Sequence, residues 1–154
     1  MTETAETGEL QLVVFQLGSE SYGVDISQVR EIVSRQKITR VPRTPYYIEG
    51  VMNLRGRVIP VVDLKKRLGL PQGEDPGTKI AVAEVEGITV GMVVDGVSEV
   101  LRISDAAVDT PSQVMAGIDV DYIIGVAKIE DRLVILLDLP KVLARLDKAS
   151  EAVS

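Results

Sequence analysis

Residues 48–68, IEGVMNLRGRVIPVVDLKKRL, recur without a gap at 123–143 as IIGVAKIEDRLVILLDLPKVL. At this offset of 75, Ile48 falls on Ile123, Gly50 and Val51 on Gly125 and Val126, and Arg57 on Arg132. Asp63 and Leu64 likewise meet Asp138 and Leu139, Lys66 meets Lys141, and Leu68 meets Leu143. Eight identities in 21 positions, with apolar facing apolar at most of the rest, mark one supersecondary unit used twice. The unit reads as two strands around a tight turn at Arg55-Gly56, then a short helix opened by Asp63 and stopped by Gly69. At an offset of 68, Val29, Glu31, Ile32 and Val33 meet Val97, Glu99, Val100 and Leu101, so the duplication reaches beyond the hairpins.

Taken in order, residues 1–8 are a polar tail, residues 10–17 a strand, 18–21 a turn, and 22–24 a second strand. Asp25 then reads as the cap of a short helix whose Val29, Ile32 and Val33 form one apolar stripe. Residues 37–41 are extended until Pro42 and Pro45 break them. Residues 69–78, GLPQGEDPGT, carry the strongest linker signal. Two strands, 80–85 and 88–94, follow around Glu86-Gly87, and Asp95 opens a helix-like DGVSEVL parallel to DISQVREIV. Residues 104–121 are irregular and acidic, the second unit follows, and residues 148–154 form a tail. Each half, about 10–78 and 79–147, thus holds some five short strands, the count of a small closed barrel. The expected fold is mainly β, with two pseudo-symmetric barrels in one domain spanning 9–147. About 70 residues is marginal for independent folding, so the barrels should share a hydrophobic seam. Pro60, inside a strand, is expected at an edge or a bulge.

The residue inventory narrows the chemistry. The chain has 154 residues and no histidine or cysteine, which excludes histidine-based triads and relays, disulfides and thiolate metal sites. No glycine-rich phosphate loop of the usual spacing occurs. Asp119 and Asp121 are the nearest approach to a cation site and read better as a solvated turn, so neither metal nor cofactor is expected. Net charge is −6, divided as −4 over residues 1–24, +6 over 25–70 and −8 over 71–154. That split is either chance clustering or a basic and an acidic face for different protein partners. The basic stretch has no aromatic stacking platform, which argues against nucleic acid. No apolar run approaches the roughly 18 residues of a membrane span. The acidic N-terminus is unlike a signal sequence, so a cytoplasmic protein is expected.

Three features carry the remaining information. Val29 and Ile32 are either core or the wall of a groove, with Glu31 and Arg30 on the wet side of the segment. In Asn53-Leu54-Arg55-Gly56, Gly56 answers a positive-φ turn position, and Arg55 is either a hairpin tip or a placed contact. Gly50, matched by Gly125, marks a bulge or the close approach of another backbone.

SYGVDISQVREIV, IEGVMNLRGRVIPVVDLKKRLGL and VGMVVDGVSEVLRI together resemble the CheW family of chemotaxis adaptors, over about residues 9–147. The resemblance implies two five-stranded Src-homology-3-like barrels and no catalytic activity. It implies a scaffold that couples methyl-accepting chemotaxis receptors to the histidine kinase CheA in cytoplasmic, membrane-associated arrays. The receptor tip is then expected between the barrels, at Val29, Glu31, Ile32, Gly50, Asn53 and Arg55. The regulatory domain of CheA and CheV-type couplers share the fold, but dimerisation, ATP-binding or receiver segments are expected beside it there. A coupler serving pili or another output, or an enzyme on two small barrels, are the alternatives in function.

Overall fold

The computed structural model describes residues 8–71, 79–109 and 120–144. Its strands are β1 (Glu9–Leu17), β2 (Glu20–Asp25), β3 (Val29–Ser34), β4 (Ile48–Leu54), β5 (Arg57–Asp63), β6 (Lys79–Val85), β7 (Ile88–Val94), β8 (Gly96–Ser104), β9 (Val108–Asp109), β10 (Ile123–Ile129) and β11 (Arg132–Leu137). Two short helices, α1 (Leu64–Leu68) and α2 (Leu139–Val142), follow the two hairpins. Each starts where an aspartate accepts a backbone N–H in the first turn: Asp63 from Lys66 at 3.1 Å, Asp138 from Lys141 at 3.2 Å. Gly69, with φ of 75°, ends α1 in the left-handed conformation that only glycine adopts freely.

The strands make a mainly β, pseudo-symmetric pair of sheets. Sheet one runs β8-β1-β2-β11-β10-β9 and sheet two runs β3-β6-β7-β5-β4. Position by position, β8 answers β3, β1 answers β6, β2 answers β7, β11 answers β5 and β10 answers β4. Even the short β9 has its counterpart: Asp109 pairs with Val126, and Thr39 bridges Val51 through two backbone hydrogen bonds of 2.8 Å. Sheet two is continuous chain, whereas sheet one joins β1 and β2 to strands from residues 96–137. Rather than closed by one continuous ladder, each sheet has its two edges linked by chain. The 3-10 turn Asp105–Ala107 carries the chain from β8 at one edge to β9 at the other. Residues 35–38 likewise lead from β3 to Thr39 beside β4.

The two segments read as helical, around 25–33 and 95–101, are strands β3 and β8. A β-bulge explains the misreading. In β3, Val29 pairs with Ala83 but the next register partner of β6, Val82, meets Glu31, so Arg30 is the extra residue. Val29 and Ile32 therefore lie on one face, opposite Ala83 and Ala81, at a spacing of three that imitates a helix turn. In β8, Phe15 pairs with Val97 and Val14 with Glu99, leaving Ser98 as the same bulge in the other copy. Only the turn Ile26–Gln28, capped by Asp25, is helical in character. Pro60 is not on an edge strand, because β5 lies between β4 and β7. It falls one residue before the β5–β7 ladder begins at Val61, where β5 has a neighbour on one side only.

Burial divides the apolar residues into three groups. Leu12, Val14, Ala127, Val134 and Leu136 fill sheet one's own core. Met52, Ile59, Val61, Ile80, Val82 and Val93 fill that of sheet two. The largest cluster is shared: Phe15, Tyr22, Leu137, Leu139 and Val142 meet Val62, Leu64, Leu68, Ala83 and Met92 across the seam. A buried ammonium is tolerated beside it because Lys65 lies 3.0 Å from Asp95, which also accepts the Gly18 N–H at 2.6 Å.

Candidate functional site

The β4–β5 hairpin turns on Arg55 and Gly56, both with positive φ, 53° and 84°. This is the two-residue geometry that matches the twist of the flanking strands. Gly56 adopts it freely, but for an arginine it costs on the order of 1 kcal/mol. Asn53 secures the turn by accepting the Gly56 N–H at 2.9 Å on its side-chain oxygen. Its amide is thus engaged locally.

From the tip, Arg55 reaches β3, the opposite edge of sheet two. Its Nη2 donates to Glu31 Oε1 at 2.7 Å and its Nη1 donates to Glu31 Oε2, a two-pronged pair. The hydrogen bonds from Arg55 hold the Glu31 carboxyl below its ordinary value, against a smaller opposing effect of desolvation. In turn Glu31 raises the guanidinium. The Arg55 side chain is 71% exposed, so the pair is a surface feature that joins the sheet's edges at its mouth. Sheet one has a counterpart. Glu99, equivalent to Glu31, pairs with Arg132 on the opposing hairpin. Arg132 corresponds to Arg57, however, and the true counterpart of Arg55 is Glu130.

The six expected residues separate into three situations. Glu31 and Arg55 meet, with Asn53 beneath them in the turn. Ile32, 38% exposed, lies with Val29 on the seam side of β3, and Val29 packs against the shared core. Gly50 is buried, and its part is steric: with φ of 143°, a Cβ there would collide with the Thr39 carbonyl and sit 3.0 Å from Arg40 Cα. Gly125 plays the same part, where a Cβ would lie 2.8 Å from the Asp109 carbonyl oxygen. Both readings offered for this glycine hold, because each also adjoins a bulge, after Ile48 and after Ile123. Arg30, at the β3 bulge, is engaged with Glu84 at 2.7 Å.

A family model described as a CheW-like domain matches residues 11–147. The chain belongs to the CheW family. The chemotaxis protein CheW of Bacillus subtilis (strain 168) is 39% identical over 145 residues, covering 93% of this chain and 92% of that protein. That of Treponema pallidum (strain Nichols) is 38% identical over 138 residues, 86% and 81% of the two chains. A crystal structure of the scaffolding protein TtCheW from Thermoanaerobacter tengcongensis matches with a TM-score of 0.78 at 39% identity, covering 87% of each chain. Among the described residues of this CheW-family chain, no helix is long and apolar enough to cross a membrane. Asp119, of the acidic pair weighed as a cation site, lies outside the described residues.

One constellation escaped the reading of the sequence: Arg67 lies over the rings of both Tyr47 and Tyr122. A signal for it existed in the offset of 75, which maps Tyr47 on Tyr122.

Proposed function

We propose that this chain is a non-catalytic adaptor that couples the cytoplasmic tips of methyl-accepting chemotaxis receptors to the histidine kinase CheA in membrane-associated arrays. Family membership over nearly the whole chain carries this reading, since a solved relative is described as a scaffolding protein. The absence of histidine and cysteine from the sequence agrees with it. On this reading Ile32, Glu31 and Arg55 face the receptor, while Val29, Gly50 and Asn53 hold them in place. A helical tip covering what remains exposed of Ile32 would gain roughly 1 kcal/mol from its burial. Arg55 offers more donors than its pairing with Glu31 uses, and a guanidinium suits carboxylates and helix-terminal carbonyls.

The test is reconstitution of receptor-bearing membranes, kinase and this chain. Kinase activity should rise well above that of receptors and kinase alone; no rise, with every component folded, would sink the proposal. Glu31→Lys should weaken receptor binding while leaving the melting temperature nearly unchanged, as for an exposed ion pair. A large stability loss with unchanged binding would make Glu31 a structural residue only.

A further inference from the structure

Arg67, in the last turn of α1, stands at the rim of the shared seam. Its guanidinium carbon is 4.7 Å from the centroid of the Tyr47 ring and 5.1 Å from that of Tyr122. Its Nε donates to the Val142 carbonyl in α2 at 2.5 Å. The two tyrosines are copies of one position, each preceding a hairpin. Each also accepts, on its carbonyl, the N–H of the helix-capping aspartate: Asp63 to Tyr47 at 2.8 Å, Asp138 to Tyr122 at 2.9 Å.

Arg67 itself corresponds, at the same offset, to Val142. One guanidinium therefore lies over two equivalent rings and bonds to the residue that holds its own place in the other copy. The two copies of the duplicated unit meet at this contact. A second arginine at position 142 would set two like charges against the same pair of rings. Here the duplication is asymmetric.

We propose that Arg67 is a pin that fixes the orientation of the two sheets, and so a positioning residue for the coupling function. Apolar burial across the seam holds the sheets together but is non-directional. A planar guanidinium that contacts one ring from each copy and donates a hydrogen bond to the second helix resists both rotation and sliding. Receptor-facing residues on sheet two thereby keep a set relation to any partner held by sheet one. This second half rests on the coupling function proposed above; the geometric half does not.

The chain has no cysteine, so Val58→Cys and Leu133→Cys, at exposed equivalent positions on the two sheets, give a clean pair for spin labels. Distance distributions between them are measured by pulsed electron resonance on the free protein. Arg67→Met keeps the bulk of the stem and removes the fork and charge. It should broaden the distribution or shift its mean while the amide NMR spectrum stays dispersed. A distribution identical to that of the parent would overturn the pin. Should Arg67→Met not fold, Arg67→Lys decides, since it keeps stem and charge but not the planar fork; a parent-like distribution there overturns the proposal equally. In the reconstituted kinase assay Arg67→Met should lower activation. Broadening with full activation would overturn the positioning role alone. No activation by the parent chain would instead defeat the coupling reading and leave the distance result standing.

Discussion

Arg55 holds a left-handed backbone conformation that the turn demands of any residue there, yet nothing in that demand requires a guanidinium. Glu130 takes the same conformation at the tip of the other hairpin, with φ of 56°. The charge at position 55 therefore answers to something beyond the turn. Arg55→Ala should fold normally and lose kinase activation in the reconstituted assay, and Arg55→Lys should recover part of it; full activation by Arg55→Ala would reduce Arg55 to a hairpin tip. The same variant has a local readout. Glu31 is held below its ordinary value of 4.5 by Arg55, so its small pairing contribution is present above that value and lost as pH falls through the depressed one. Carboxyl NMR titration of Arg55→Ala should show Glu31 moving upward. The paired glycines make a sharper comparison. Gly50→Ala meets backbone atoms at a positive φ and should cost about 3 kcal/mol or more in denaturant unfolding. At Gly125 one of the two obstacles is the Val108 side chain, 2.5 Å away and able to turn, so Gly125→Ala should cost less. Equal costs would contradict the distinction.

At the level of elements, the helix caps show a local device set in an unfavourable place. Asp63 caps α1, but burial raises its carboxyl above the ordinary 3.8, outweighing the hydrogen bond from the Lys66 N–H. The folded state therefore holds its proton more tightly than the unfolded chain does. The stability from this group is complete below 3.8 and declines as pH rises through the raised value. Asp63→Asn keeps an oxygen for the cap and removes the buried charge. Its stability relative to the parent should improve between pH 4 and pH 7, measured by denaturant unfolding at each, whereas Asp63→Ala, which also lacks the cap, should be less stable than Asp63→Asn by about 1 kcal/mol at both. A relative stability of Asp63→Asn that does not change with pH would refute the account. The bulges at Arg30 and Ser98 are devices of the same scale. Each turns the outer part of an edge strand so that a glutamate, Glu31 or Glu99, meets an arginine from the opposing hairpin.

The molecule as a whole is held by the seam more than by either private core. Phe15, Leu137 and Leu139 from one side and Leu64, Val62 and Met92 from the other are all essentially inaccessible. A sheet taken alone would expose that face, so the two should unfold together. Calorimetry should give one transition whose van't Hoff and calorimetric enthalpies agree. Phe15→Ala, at the seam, should lower stability by about 3–5 kcal/mol without splitting it. Two resolved transitions would mean that the sheets are separate folding units. The exchange of strands points the same way: β1 and β2 precede sheet two in the chain but belong to sheet one.

Turns, caps and hairpins were legible in the sequence because each depends on residues within a few positions of one another. Arg55-Gly56, Glu86-Gly87, Asp63, Asp138 and Gly69 act where their side chains and dihedral angles stand. The duplication was legible too, since equal packing demands leave equal residues at equal spacing. The identity of β3 and β8 was not. A strand with a one-residue bulge places apolar side chains three apart on one face, as a helix does, and the sequence near Val29 or Val97 does not distinguish the two. The partner decides: Ala83 lies 54 positions from Val29, and Phe15 lies 82 from Val97. The contact at Arg67 is of the same kind, for a side chain comes to lie over rings from both copies only when both have folded and met across a common core.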